Sequence, residues 1–145
     1  MIACAPACTT GVVQSTASKN VTEESRFVKN KDLEQDKVLG NYVLLMMKIV
    51  NLDASMAKKN IIARSIVNVS NDIFSNMEEK KQFVTMVAIE SKFNSEATSS
   101  AGAVGLTQII PKYAKEFAAK CGIEDVRSED LKNADINLLI GACRF

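Results

Sequence analysis

The chain of 145 residues is the size of one domain, and its 47% apolar content is enough to build a core. Lysine and arginine (18) nearly balance aspartate and glutamate (17), which argues against a generic nucleic-acid binder with a basic face and against strong attraction to an anionic membrane. Histidine is absent, and with it go imidazole bases, Ser-His and Cys-His nucleophile pairs and most zinc sites.

Residues 1–30 are rich in Ala, Thr, Ser, Asn and Val without a steady period, and they predict a flexible or extended arm. Met1-Ile2-Ala3-Cys4 looks like the end of a lipoprotein cleavage box, but the apolar stretch a signal peptide needs ahead of it is missing, so the arm is expected to be untargeted. The longest apolar run, Tyr42–Met47, ends at Lys48 and falls far short of the roughly 20 residues that cross a bilayer.

A helical extension is predicted over 31–75. From Leu33 onward Leu39, Val43, Met46 and Val50 recur at spacings of three and four, and Tyr42, Leu44, Leu45 and Met47 fill much of the remaining circumference. Such a helix is either central to a core or covered by another chain. Asp53 suits the N-cap of a second helix with Ile62, Ile66, Val69 and Ile73 on one face. Ser75-Asn76-Met77-Glu78 reads as a capping box that opens a third helix, to about Ser91. On it Phe83, Val87 and Glu90 fall at i, i+4 and i+7, so Glu90 is expected to extend a buried stripe and lose hydration.

Asn94 to Thr107 holds the serines, alanines and glycines of a loop. Pro111 opens a fourth helix that reaches about Cys121 and stops at Gly122. Ser128, followed by Glu129 and Asp130, opens a last helical segment whose apolar positions are Leu131, Ile136, Leu139 and Ile140. With no strand-period segment and no repeat, the expected fold class is all-α.

Four cysteines, at positions 4, 8, 121 and 143, allow three full pairings, and sequence does not choose among them. Cys4 and Cys8 lack the further ligands of a zinc module, so no metal site is expected. Cys121 and Cys143 fall on predicted helices, where small buried thiols are the expectation.

The chemistry concentrates in Glu90-Ser91-Lys92-Phe93-Asn94 and Ala101-Gly102-Ala103-Val104-Gly105-Leu106-Thr107-Gln108, followed by Pro111. These two blocks, and a third containing Asp130-Leu131, Asn137-Leu138-Leu139-Ile140-Gly141 and Phe145, resemble in order and spacing the signature of the soluble lytic transglycosylase (SLT) family, relatives of goose-type lysozyme. The resemblance covers about Glu78 to Phe145 and implies a lysozyme-like domain over 76–145.

By that resemblance Glu90 is the catalytic acid and base, Ser91 orients the sugar or the carboxyl, and Thr107 and Gln108 line the glycan groove. Phe93, Ala101 and Leu106 are implied to be structural, as are Asn137 and Gly141. The implied substrate is peptidoglycan, cut at the β-1,4 bond between N-acetylmuramic acid and N-acetylglucosamine, with no cofactor. A hydrolytic lysozyme would usually need a second acid, for which Glu96, Asp130 and Asp135 are the candidates.

Three departures stand out. Ser95 replaces the family's usual Pro, and Thr107 its usual Met. The Ala-Tyr-Asn block that follows in the family, whose tyrosine contacts the catalytic glutamate, lies beyond the last residue here, so the C-terminal part of the domain is expected to be incomplete. A wall-cutting module joined to a helical extension is similar to phage virion proteins that carry a transglycosylase into the host envelope, and to secretion-system wall openers. The expected setting is the virion, acting in the periplasm or cell wall, with other virion or envelope chains as partners; the alternative is a secreted or periplasmic bacterial protein. A structural virion protein that keeps the fold without activity is the rival.

Overall fold

A computed structural model describes the backbone of residues 17–145 and side-chain surroundings from residue 32 onward. The chain divides into two compact units, 1–33 and 34–145. Of the first unit, the described residues 17–33 are helical.

The first helix, α1 (Ala17–Ile49), takes in residues 17–30, where the sequence predicts an arm. The residues there are no obstacle to a helix: Lys19 and Glu23 stand at i, i+4, and Glu23 and Arg26 at i, i+3. Residues 1–16 of the expected arm, with Cys4 and Cys8, lie outside the described residues. The buried stripe of α1 is Leu39, Val43 and Met47, while Met46 and Val50 are half-buried at its edge. No described helix is long and apolar enough to cross a membrane.

Helix α2 (Met56–Ile73) is capped by Ser55, whose hydroxyl accepts from the Lys58 N–H, and not by Asp53 two residues earlier. It buries Ile62, Ile66 and Val69; Ile73, on the last turn, is exposed. Helix α3 (Met77–Ser91) begins one residue later than predicted, because the Asn76 carboxamide accepts from the Glu79 N–H at 2.9 Å and serves as the cap. Glu78 and Glu79 fall in its first turn, where the helix dipole favours acids. A polar relay fastens the three helices: Lys80 Nζ donates to Asn71 Oδ1, and Asn71 Nδ2 to Asp36 Oδ1, each at 2.7 Å.

Pro111 starts a 3₁₀ turn, Pro111–Tyr113, that runs into α4 (Ala114–Lys120). Ser128–Lys132 is likewise 3₁₀, and α5 (Ala134–Arg144) starts after it, capped by the Asn133 side chain. Among the described residues the only sheet-like pairings are isolated bridges, Thr98 to Val104 and Val104 to Ile109. The architecture is all-α, as the periodicity predicts.

Two cores meet on α5. One gathers α1, α2 and α3 around Ile66, Phe83 and Val87 and takes in Phe93, Leu106 and Leu138; the other gathers Ile109, Ala114, Ala118, Val126, Leu131 and Ile140. A disulfide joins Cys121, at the end of α4, to Cys143 on α5, with the Cα atoms 5.8 Å apart. This corrects the expectation of two free buried thiols: the partners lie 22 residues apart, and only the packing of α4 on α5 brings them together.

Candidate active site

Helix α3 carries the candidate acid, and its outcome differs from the sequence expectation. Phe83, Val84, Val87, Ala88 and Ser91 are buried, whereas Glu90 is exposed. At 3.6 residues per turn the centre of that buried face lies between Val87 and Ser91, and Glu90 sits roughly 90° away from it. The stripe through Phe83 and Val87 therefore continues to Ser91, and Glu90 stands at its wet edge.

The Glu90 side chain opens onto a groove of about 600 Å³ along the outward face of α3. Glu78, Gln82, Thr85, Met86 and Ile89 form its floor, Tyr42 of α1 one wall, and Phe145 another part of the rim. Ile89, beside Glu90, is 77% exposed. Phe145 is held by an aromatic trio, its ring centroid 5.7 Å from Phe74 and 6.1 Å from Phe83.

Ser91, expected to orient sugar or carboxyl, is buried and donates its hydroxyl to the Val87 carbonyl at 3.2 Å. Beyond it Lys92 and Phe93 both adopt left-handed backbone, φ 53° and 61°, which ends the helix and turns Phe93 into the core. That turn, with Leu106 packed in the same core, ties the end of α3 to the glycine-containing loop.

The loop itself is locked from beneath by Asn137. Its Oδ1 accepts from the Thr107 N–H and hydroxyl, both at 2.8 Å, and its Nδ2 donates to the carbonyls of Val104 and Leu131, both at 2.9 Å. Gly105 has φ +81°, and a Cβ there would stand 2.2 Å from Asn137 Nδ2 and 2.6 Å from the Leu131 oxygen. A Cβ on Gly141 would meet the Thr107 side chain at 2.4 Å.

Thr107 is therefore fully buried, and its hydroxyl holds α5 by donating to the Asn137 backbone carbonyl at 3.0 Å. Gln108 is half-buried at φ 51°, with Nε2 donating to the carbonyls of Gly105 and Ala97. Neither residue lines the groove at Glu90. Arg144 reaches the same loop, donating to the Thr107 carbonyl at 3.3 Å.

Of the candidate second acids, Asp130 caps the turn before α5 by accepting from the Arg127 N–H at 2.9 Å, which holds its carboxyl below the usual range. Glu96 and Asp135 are exposed on other surfaces, and none of the three lines the groove. The second acid that does line it, Glu78, has no signature in the sequence. Twelve residues separate it from Glu90, about 18 Å along the helix, so the pair is far too wide for the roughly 5–9.5 Å of two-carboxylate glycosidases.

No curated protein and no solved structure matches the chain. A family model, the transglycosylase SLT domain, matches residues 71–144, a stretch that contains α3, the Asn137-locked loop, the disulfide and α5. That match spans just over half of the 145 residues, and its membership implies a lytic transglycosylase acting on peptidoglycan. The chain belongs to the SLT transglycosylase family.

Proposed function

We propose that the protein cleaves the β-1,4 bond between N-acetylmuramic acid and N-acetylglucosamine and leaves 1,6-anhydro-muramyl ends. The observation that carries this reading is Glu90: it is the carboxylate at the end of the family-matched helix, and it opens onto a groove in which the next acid is about 18 Å away. A single acid suits a substrate-assisted route and does not suit a two-acid hydrolase.

In that route Glu90 gives its proton to the glycosidic oxygen as the bond to C1 of the muramyl residue breaks. The substrate's own acetamido oxygen stabilises the developing positive centre. Glu90, now a carboxylate, takes the proton from the C6 hydroxyl, and O6 closes on C1. The proton is returned to the enzyme and no water is used, so the reaction is an elimination-like transfer within one sugar. With Glu90 exposed in the free protein, the strand lying over the groove displaces the water around the carboxyl.

The setting we propose is a virion-borne enzyme that opens the wall locally during phage genome delivery. Its support is the coupling of a wall-cutting segment to the helices α1 and α2, most of which precede the matched residues. The Cys121–Cys143 disulfide suits an oxidising compartment such as the periplasm. A second reading, a structural assembly protein, is favoured by Val38, Leu45 and Ile49, which leave an apolar stripe of α1 exposed.

Incubation with purified peptidoglycan, followed by mass spectrometry of the released fragments, separates these readings. Anhydro-muropeptides support the lyase, and products with a free reducing end support a hydrolase. No release by the folded protein supports the assembly role. Glu90→Gln should abolish release with the fold intact, and release that survives this change removes Glu90 from the mechanism.

A further inference from the structure

The groove at Glu90 has one wall that does not come from the family-matched segment. Tyr42 belongs to α1, almost thirty residues ahead of position 71, yet it faces the groove and its phenol oxygen lies 3.2 Å from Thr85 Oγ1. The polarity of that contact follows from the next one. Thr85 has a single hydroxyl proton, and it is donated to the Lys81 carbonyl at 2.9 Å. Thr85 Oγ1 must then accept, so the tyrosine O–H donates. The chain Tyr42 O–H to Thr85 O–H to Lys81 C=O fixes the phenol in place and leaves its oxygen with free acceptor capacity towards the groove.

Thr85 precedes Glu90 by five residues, about 7.5 Å along the helix. The acceptor on Tyr42 thus flanks the next stretch of any chain that passes Glu90 and runs towards Glu78. Gln82 adds a carboxamide on the same floor, and the Lys81 ammonium lies 5.8 Å from the centre of the Tyr42 ring. A fixed acceptor, a carboxamide and an aromatic wall are the groups that recognise an N-acetylated sugar, through its amide N–H, its hydroxyls and its apolar ring face.

We propose that Tyr42 of α1 is a glycan-positioning residue, and that its hydroxyl, with Gln82, forms a subsite for an N-acetylated amino sugar on the Glu78 side of Glu90. This rests on the reading of Glu90 as the acid, and it gives α1 a part in substrate binding that the family-matched segment does not supply.

Tyr42→Phe keeps the ring and its packing and removes the hydroxyl, that is, both the acceptor facing the groove and the bond donated to Thr85. On long glycan strands it should raise KM about fivefold, the weight of one neutral hydrogen bond, with kcat and thermal midpoint little changed. On a fragment too short to reach past Thr85 the two proteins should behave alike. Gln82→Ala, at an exposed position, should act in the same direction.

Cosedimentation with insoluble peptidoglycan in a Glu90→Gln background gives a readout that does not need turnover. The bound fraction should fall severalfold when Tyr42→Phe is added. Unchanged KM and unchanged cosedimentation for both variants overturn the subsite, even where Glu90→Gln is inactive and the acid stands. Retained activity in Glu90→Gln together with lost binding in Tyr42→Phe would instead sink the acid and keep the subsite. A fall in KM-based affinity that is equal for long and short fragments also overturns it.

Discussion

The loop at Gly105–Gln108 and the groove at Glu90 belong to the same signature, yet they are built in opposite ways. The loop is dry: Leu106 and Thr107 are fully buried, and one carboxamide, that of Asn137, satisfies four backbone and side-chain groups around it. The groove is wet: Glu90 and Ile89 face solvent, and its walls come from α1, α3 and Phe145. The contrast teaches that much of a family signature is architecture. Ser91, Thr107 and Gln108 look chemical in sequence, but their polar atoms hold backbone in place, and that rigid frame sets where the candidate acid, Glu90, stands.

If this division is right, changes in the two regions should separate stability from activity. The largest effect belongs to the groove. Glu90→Gln should lower product release by a thousandfold or more, in line with loss of an acid and base in one residue, about 4 kcal/mol of barrier, with a thermal midpoint within a degree or two of the parent. A large drop in midpoint would place Glu90 in the frame and break the comparison.

In the loop the sign reverses. Gly105→Ala combines a left-handed backbone with a Cβ 2.2 Å from Asn137 Nδ2, and should destabilise by roughly 3 kcal/mol or more. Asn137→Ala leaves the Thr107 N–H and two carbonyls without their partner and should cost about 3 kcal/mol. Chemical denaturation measures both. Should either variant prove fully stable but inactive, the loop would have to be counted with the chemistry.

Two smaller changes sharpen the picture. Ser70, on the face of α2 that meets the core, has a buried hydroxyl without a hydrogen-bond partner, so Ser70→Ala should gain about 1 kcal/mol. Asp130, whose carboxyl is held low by the Arg127 N–H, stabilises the fold above about pH 4, the ordinary aspartate range. That contribution is lost as pH falls through the lowered folded-state value. Asp130→Asn should therefore lower stability slightly at neutral pH, converge with the parent once pH is below the lowered value, and so flatten the acid limb of a stability-versus-pH curve. An unchanged acid limb would show that the cap at Arg127 carries no weight.

The sequence by itself determined the helical class and the order of the helices, and through its family resemblance it singled out Glu90 as the candidate acid. Periodicity marks Leu39, Val43, Ile62, Ile66, Phe83 and Val87 as inward, and short-range capping chemistry fixes the starts of α2 and α3 to within two residues. The family resemblance, and no local period, implied that Asn137, Gly141, Phe93 and Leu106 are structural; all four are buried, whereas Ala101, implied with them, is exposed. Only the tertiary structure decided what is wet. A stripe at i, i+4 and i+7 is satisfied equally by a face centred on Glu90 or on Ser91, and the rotation of α3 was chosen by its neighbours. The same holds for Tyr42 on the groove, Glu78 at its far end and the Cys121–Cys143 bond: each depends on groups distant in the chain meeting in space, and no local period records that meeting.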